Sequence, residues 1–328
     1  MEQEQREPLR QKELLSPYEL ENRLAGLARE EGRSRLLMFA FFFAAIFLLA
    51  MAFVAHARNN AAAGDGSAFQ HMDTVFVISC AAAFVLFGIF LVKSGKERKR
   101  IKLLASDNIT RTVLGKAFEL VSYDPLGFLS SGEVSGAGLV ENWNTISGSD
   151  LVKGRYRDVD FSFSDITLSY IDESDSEAKL IGRFEGQWLA VGLNAELPSP
   201  IWLLGRKGLG KLAKSDMETG NAAFDKTFQI RTQDPQAAQG VLAPQLQDSL
   251  LRIGQKAGAG TYVSFIGRQC NIALYSRRDL FEAGSVKLGG KNGIEHLRVK
   301  IGQDAKFITD ILDELLLHGH LFGEGGGQ

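Results

Sequence analysis

Two long uncharged runs of apolar residues lie in the first third of the chain. Residues 36–55 read LLMFAFFFAAIFLLAMAFVA, and residues 74–92 read TVFVISCAAAFVLFGIFLV. A helix of about 20 apolar residues crosses ~30 Å of hydrocarbon, whereas a surface helix of a soluble protein keeps one polar face. The pattern therefore predicts a transmembrane hairpin over residues 36–92, with helices at 36–55 and 74–92.

Basic residues beside the two runs predict the orientation of this hairpin. Arg29, Arg33 and Arg35 precede the first run, and the loop between the runs contains only Arg58. A denser cluster follows the second run: Lys93, Lys96, Arg98, Lys99, Arg100 and Lys102. Because Lys and Arg are retained on the cytoplasmic side, the asymmetry predicts that both termini are cytoplasmic. The polar segment before the first run is too long and too acidic for a cleavable signal peptide.

The cluster after the second run is also a candidate site for lipid contact. We predict that Lys93, Lys96, Arg98, Lys99 and Arg100 contact anionic headgroups or a partner, since a cation near an anionic surface contributes about 1 kcal/mol. The alternative is that these residues only determine topology, and the two interpretations are compatible.

The segments that flank the hairpin carry helical patterns. Residues 1–35 form a cytoplasmic segment, in which Ser16, Pro17 and Glu19 have the spacing of a capping box that starts a short amphipathic helix. Residues before Ser16 are expected to be disordered. Residues 93–121 are predicted to form a basic linker and a helix that begins near Ile101.

Residues 122–317 predict a cytoplasmic α+β domain. Val159, Phe161 and Phe163 alternate with polar residues, which is typical of a strand with one buried face. Further strands are predicted at residues 166–171, 180–184, 188–193, 201–204 and 228–232, with a hairpin around Gly267. Helices are predicted at 244–253 and 304–317, and the segment 123–148 is expected to be largely loop. Without regular βαβ alternation, these elements favour a mainly antiparallel sheet with packed helices. Residues 318–328 are predicted to be a flexible tail that includes His318 and His320.

Composition limits the function classes. The chain has 37 Lys and Arg residues against 39 Asp and Glu residues, so it lacks the basic excess typical of a nucleic-acid-binding protein. Cys80 lies in an apolar run and Cys270 in a predicted strand, so we expect no disulfide between them. The domain is therefore compatible with a reducing compartment.

The nearest approach to a catalytic motif is Gly205-Arg-Lys-Gly-Leu-Gly-Lys211, which has the G-x-x-x-x-G-K spacing of a phosphate-binding loop. Leu212 stands where that motif needs a hydroxyl for magnesium. We therefore predict a basic turn in which Arg206, Lys207 and Lys211 attract lipid headgroups or a partner as point charges. The alternative is a nucleotide- or phosphoester-binding enzyme that uses this loop.

No other cluster of residues predicts chemistry. Asp158, Asp160 and Asp165 are expected to face solvent, and the histidines have no companion at metal-ligand spacing. We therefore predict no enzymatic activity, no cofactor and no metal.

Several motifs, in order, resemble a bacterial membrane-anchored family known as domain of unknown function 3137. They include the stretch 148–166, the segment FEGQW at 184–188, FDKTF at 224–228, DPQAA at 234–238, LAP at 242–244 and DLFE at 279–282. The chain departs from the family at residues 192–195, where members commonly have an acid and a lysine. The resemblance implies two membrane helices with an inner-face domain, and it implies a LemA-type membrane protein as a candidate partner.

These observations predict a multi-pass protein of the bacterial inner membrane. Its cytoplasmic domain would be a non-enzymatic binding or regulatory module that contacts the lipid bilayer and a protein partner. A third possibility is a signalling protein whose outer loop senses a ligand, although the loop is short and consists of small and polar residues.

Overall fold

The structure is a computed structural model that describes residues 15–61, 67–173, 179–206, 214–258, 260–282 and 292–322. The chain divides into two compact units. We call Met1–Asn108 with Ala283–Leu297 the hairpin unit, and Ile109–Glu282 with Arg298–Gln328 the sheet unit.

The hairpin unit contains two long helices, α1 Pro17–Ala61 and α2 Ser67–Ala105. They pack antiparallel, with Phe41 stacked on Phe90 at 5.7 Å and Phe42 against Phe87 at 5.5 Å between ring centroids. Both helices are long and apolar enough to cross a membrane. Only 11% and 17% of their most apolar stretches are buried, which is unlike the core helix of a soluble protein.

The first helix starts where the sequence predicts. Ser16 Oγ accepts a hydrogen bond from the Glu19 backbone N–H at 3.3 Å, and the Glu19 carboxylate accepts from the Ser16 backbone N–H at 3.3 Å. This reciprocal pair is the expected capping box. The short amphipathic helix is not a separate element, however, because α1 continues from Pro17 into the apolar run without a break.

The helix predicted to run from near Ile101 to residue 121 is wrong in its last part. A π-helical turn, Ser106–Thr110, follows α2 and leads to α3, Arg111–Ala117. The chain then enters the strand β1, Glu119–Asp124, in which Tyr123 pairs with Val152. A strand partner so distant in sequence cannot be read from local periodicity.

The sheet unit is built on one eight-stranded antiparallel sheet, in the order β1-β2-β3-β4-β8-β7-β5-β6. The further strands are β2 Thr145–Tyr156, β3 Val159–Asp172, β4 Lys179–Gly192, β5 Ile201–Gly205, β6 Phe228–Thr232, β7 Gly260–Ile266 and β8 Gln269–Tyr275. The further helices are α4 Ser131–Gly136, α5 Ala222–Thr227, α6 Pro235–Val241, α7 Pro244–Ala257, α8 Gly293–Leu316 and α9 Gly319–Phe322. The predicted α+β class, with an antiparallel sheet and packed helices, is confirmed.

Strands β3 and β4 are each longer than the sequence predicts. The strand predicted from Val159, Phe161 and Phe163 and the strand predicted at 166–171 are both parts of β3. The strands predicted at 180–184 and 188–193 are both parts of β4. The strand β2 was missed because Gly and Ser residues gave its first half a loop-like composition. Gly148 belongs in this strand for a steric reason: a Cβ there would lie 2.2 Å from the Asp165 carbonyl oxygen.

Strong local signals predicted the β7–β8 hairpin and the presence of α7 and α8 correctly, but not the full length of the two helices. Strands β7 and β8 form the expected hairpin, and Gly267 at its turn has a φ of +57°. The helix predicted at 244–253 is the first part of α7, in which Leu246 and Leu250 are buried and Leu251 is half-buried. Helix α8 begins at Gly293, well before the predicted start at 304.

One apolar core is formed where β3, β4, β7 and β8 meet residues 129–140. Trp188, Phe184 and Tyr262 are its largest buried side chains, and Leu129 and Val134 pack against them from outside the sheet. The two cysteines, Cys80 and Cys270, are buried free thiols, so the prediction of no disulfide is confirmed.

Candidate functional site

The predicted basic residues after the second apolar run lie on the exposed surface of α2. Lys93, Lys96 and Lys99 have exposed side chains and form no ion pair with the described residues. They stand within the two turns of helix that follow Val92, where the apolar run ends. Their charges are therefore available to a ligand or a surface outside the helix.

Arg98 and Arg100 have partners on the hairpin itself. Arg98 Nε donates to Glu31 Oε1 at 2.9 Å, and Ser94 Oγ donates to the same oxygen at 3.3 Å. The side chain of Glu31 is only 12% exposed, and it also pairs with Arg35. This network fixes the register of α1 against α2. Arg100 pairs at 3.2 Å with the buried Glu97 of the same helix.

One face of α2 forms an open groove of about 560 Å³, which we call the α2 groove. Its lining changes from apolar to charged along the helix. The lining residues are Val85, Gly88, Ile89, Val92, Lys93, Lys96, Glu97 and Arg100. Lys99 does not line this groove.

Arg206, the first basic residue of the glycine-rich loop, directly follows β5. Its Nε donates to the Asp225 carbonyl at 3.3 Å and its Nη2 to Ser215 Oγ at 3.3 Å. Arg206 and Lys226 line a cavity of about 760 Å³ whose apolar walls include Phe228 and Leu250. Lys207 and Lys211 lie outside the described residues, so their predicted role stays a prediction.

An acidic cluster of two buried aspartates and the exposed Asp279 is the main feature of the sheet unit that the sequence interpretation missed. Asp150, Asp165 and Asp279 each place a carboxylate oxygen within 4.8 Å of the others. Asp150 and Asp165 are buried, so the prediction that Asp165 faces solvent is wrong. The alternation of β3 contained the signal for this burial. Asp165 is two residues after Phe163, so its side chain lies on the same face of the strand as the inward-facing Phe161 and Phe163.

Each buried carboxylate of the cluster accepts several hydrogen bonds. Gln187 Nε2 donates to Asp165 Oδ1 at 3.0 Å, and the Leu280 backbone N–H donates to Asp165 Oδ2 at 2.9 Å. Asp150 accepts from the Tyr123 hydroxyl at 2.6 Å and from Ser149 Oγ at 2.8 Å. These hydrogen bonds satisfy the two buried carboxylates. A structural role is therefore enough to explain why Asp150 and Asp165 are buried.

The backbone of β2 is distorted where it presents Asp150. The pairing of β2 with β3 shifts register between Ser149 and Val152, and Asp150 has a φ of +61°. Such a bulge re-aims one side chain relative to a regular strand. Here it lets Asp150 lie beside Asp165 rather than alternate away from it.

The electrostatics of the cluster favour a bound proton. Burial raises the pKa of Asp165 to about 8, and the nearby charges of Asp279 and Asp150 act in the same direction against the hydrogen bond from Gln187. Three carboxylates so close together cannot all ionise cheaply. At neutral pH the cluster therefore keeps a proton. A cavity of about 280 Å³, lined in part by Arg277 and Arg278, opens beside Asp165 and Asp279.

A second polar network fixes the segment after β8. Asp304 of α8 is buried and accepts from Arg278 at 3.0 Å, from Lys300 at 2.7 Å and from the Phe281 backbone N–H at 3.0 Å. Oxygen donors of the acidic cluster are the kind that a hard cation prefers. In this cluster, however, the carboxylates of Asp150 and Asp165 already accept hydrogen bonds from neutral donors of the protein.

The predicted frayed segment at His318 is wrong. His318 is buried, its Nε2 lies 3.0 Å from Ser249 Oγ, and its backbone N–H donates to the Leu315 carbonyl. Burial, together with His320 and Arg252, lowers the pKa of His318, which therefore stays neutral at neutral pH. Residues 319–322 continue as α9, and Phe322 is buried; residues 323–328 lie outside the described part of the chain.

Comparisons with known proteins give one family and one distant structure. A search of curated proteins finds no match. The crystal structure of the mycobacterial trehalose monomycolate transport factor A, TtfA, is similar at 10% identity over 62% of this chain and 93% of that chain, with a TM-score of 0.29. A similarity at that TM-score carries no argument about this protein. A family model described as a protein of unknown function, DUF3137, matches residues 182–317. This match agrees with the ordered motifs of the sequence, so residues 182–317 of the chain are similar to the DUF3137 family.

Proposed function

We propose that this protein is a membrane-anchored binding or regulatory module without catalysis of its own. The α1–α2 hairpin crosses the bilayer twice, and the sheet unit binds a partner on the cytoplasmic side. The observation that carries the proposal is the band of exposed apolar side chains around the hairpin.

This band covers the outer surfaces of both helices. On α1 its exposed residues are Leu36, Phe39, Phe43, Ile46, Phe47, Leu49, Met51 and Val54. On α2 they are Ile78, Phe84, Val85, Leu86, Ile89, Leu91 and Val92. Soluble proteins rarely expose a contiguous apolar patch larger than a few hundred Å². Hydrocarbon is the environment in which such a band carries no penalty.

Both helices continue beyond the band on one side. Helix α1 begins at Pro17 and α2 ends at Ala105, so they extend about 28 and 20 Å past the apolar runs at 1.5 Å per residue. The ion pair of Glu31 with Arg98 lies in this extension, where water and headgroups solvate the exposed part of the network. The distribution of charge along the hairpin therefore agrees with the predicted boundary of the membrane.

The proposed location is the bacterial inner membrane with both termini cytoplasmic, and its support is the excess of basic residues after Val92 and before Leu36. A fluorescent reporter and a periplasm-dependent phosphatase, each fused after Gln328, test the orientation. We expect fluorescence without phosphatase activity. Phosphatase activity at this position would reverse the topology.

A protein partner is the second part of the proposal, and the family resemblance favours a LemA-type membrane protein. Co-purification from mild detergent tests it with the full chain and with a chain that ends at Lys102. We expect the partner with the full chain only. Recovery of the same protein with both chains would place the interaction on the hairpin and contradict a binding role for the sheet unit.

The enzyme alternative has one specific observation in its favour, the cavity beside Arg206. Titration of the full chain with ATP and GTP in the presence of magnesium separates the two functions. We expect no saturable binding, because Leu212 supplies no oxygen to a magnesium ion. Micromolar binding that is lost in Lys211→Ala would replace the proposed function with a nucleotide-dependent one.

A further inference from the structure

The α2 groove joins an apolar surface to a cationic one along a single helix face. Val85, Ile89 and Val92 are exposed along its first part, and Gly88 leaves an opening in which a Cβ would meet nothing within 4 Å. Lys93, Lys96 and Arg100 follow along the same face. The groove spans about 22 Å from residue 85 to residue 100 at 1.5 Å per residue.

The spacing of these residues explains why the groove is continuous. Positions 85, 89, 92, 96 and 100 recur every three or four residues and so lie on one face of the helix. Arg98 of the ion pair with Glu31 is on another face, turned towards α1. The groove is therefore on the outer side of the hairpin, where lipid would surround the helix.

The charges of the groove favour an anion. Three cations line it, and Glu97 is the one acid among the lining residues. Glu97 is buried and bonds to Arg100 through both carboxylate oxygens, at 3.2 and 3.5 Å. Three cations and one anion leave two positive charges in excess, at Lys93 and Lys96. These two side chains can direct their ammonium groups to the boundary while their stems cover apolar surface.

We propose that the α2 groove is a binding site for one anionic glycerophospholipid. Its acyl chain lies along Val85, Ile89 and Val92, and its phosphate is held by Lys93 and Lys96. The inference rests on the proposed function, since it requires the hairpin to cross a bilayer. It adds a defined site and a preferred ligand to that function.

The same charges argue against the other occupants of the groove. A zwitterionic phospholipid carries its own cation beside the phosphate, which would face the two lysines and offset part of the attraction. A second copy of α2 would bring Lys93 and Lys96 against their own counterparts, and like charges repel. An anionic lipid is the occupant whose apolar and charged parts both match the lining.

Native mass spectrometry of the detergent-purified full chain tests the proposal. The probes are phosphatidylglycerol and phosphatidylcholine with identical acyl chains. We expect phosphatidylglycerol adducts to be retained about fivefold more than phosphatidylcholine adducts. Removal of one groove cation in Lys96→Gln should weaken phosphatidylglycerol retention about fivefold, the equivalent of ~1 kcal/mol.

Two matched controls separate the site from a general effect of charge or helix stability. Lys99 is a predicted headgroup contact that does not line the groove, so Lys99→Gln removes the same charge outside the site and should weaken phosphatidylglycerol retention clearly less than Lys96→Gln. Gly88→Leu fills the apolar part of the groove and should lower retention of both lipids. Gly95→Leu makes the same change at a glycine that does not line the groove and should not.

These measurements test the lipid site separately from the membrane anchor. Equal retention of the two lipids, equal effects of Lys96→Gln and Lys99→Gln, or a dimer mass without lipid would each overturn the lipid site. Alkaline carbonate extraction of membranes tests the anchor independently. Retention of the chain in the membrane fraction with no lipid preference would refute the site alone, whereas release from the membrane would refute the proposed function as well.

Discussion

The buried carboxylate of Asp165 predicts a stability that falls as pH rises. Burial holds the pKa of Asp165 near 8 in the folded protein, against 3.8 for the ordinary side chain. Between these values the folded protein keeps a proton that the unfolded chain releases. The contribution to the free energy of unfolding is therefore complete below about pH 4 and is lost as the pH rises to about 8.

The variant Asp165→Asn isolates this contribution. Asn cannot titrate, so the stability difference between wild type and variant should change by up to about 1.4 kcal/mol per pH unit across the window. At pH 5 the wild type should be the more stable protein. Asn has a single oxygen, so it can accept from Gln187 or from Leu280 but not from both, and a lost buried bond costs roughly 1–3 kcal/mol. Towards pH 8 the difference should shrink or reverse.

Denaturant unfolding of the full chain in mild detergent measures the effect through tryptophan fluorescence. All three tryptophans, Trp143, Trp188 and Trp202, belong to the sheet unit, so the signal reports that unit. Asp160→Asn is the matched control, because Asp160 lies on the same strand with a side chain that is 72% exposed. The free energy of unfolding of Asp160→Asn should change with pH in parallel with that of the wild type. A parallel curve for Asp165→Asn would refute the buried proton.

Three further predictions concern packing, independence of the domain and ligands. Gly148→Ala should destabilise the sheet unit by about 2 kcal/mol or more, since its Cβ would clash with the Asp165 carbonyl, whereas Gly182→Ala, with nothing within 4 Å, should change stability little in the same fluorescence assay. A chain of residues 109–328 should be soluble and melt cooperatively in calorimetry; a non-cooperative melt with an expanded radius would show that the sheet unit needs the hairpin unit or a partner. Flotation of the same chain with anionic liposomes should fall with salt and in Arg206→Ala plus Lys207→Ala, while salt-independent flotation would contradict an electrostatic role for the glycine-rich loop.

Local sequence determined the elements whose signals lie within a few residues. The two apolar runs predicted helices that can cross a membrane, because length and lack of charge are properties of the segment alone. The β7–β8 hairpin was likewise specified by Gly267 between two alternating runs, since only the turn has to adopt a positive φ. The buried face of α7 followed from its 3.6-residue period.

Tertiary structure decided the features that depend on distant partners. The strand β2 has a glycine and serine composition typical of a loop, and it is a strand because β1 and β3 pair with its two edges. The long strands β3 and β4 are continuous for the same reason, since each supports the other along its length.

The polar sites were the least predictable part of the chain. Asp165 belongs to an acidic cluster because a bulge re-aims Asp150 and because residue 280, which is 115 positions away, supplies a backbone donor. His318 is ordered because Ser249 of α7 lies beside it. By contrast, the basic residues after the second apolar run could be named from the sequence. Only the structure showed that Arg98 pairs with Glu31 and Arg100 with Glu97, whereas Lys93, Lys96 and Lys99 are exposed. Periodicity records which face of an element is apolar, whereas the environment of a charge depends on which groups the rest of the fold brings within a few ångströms of it.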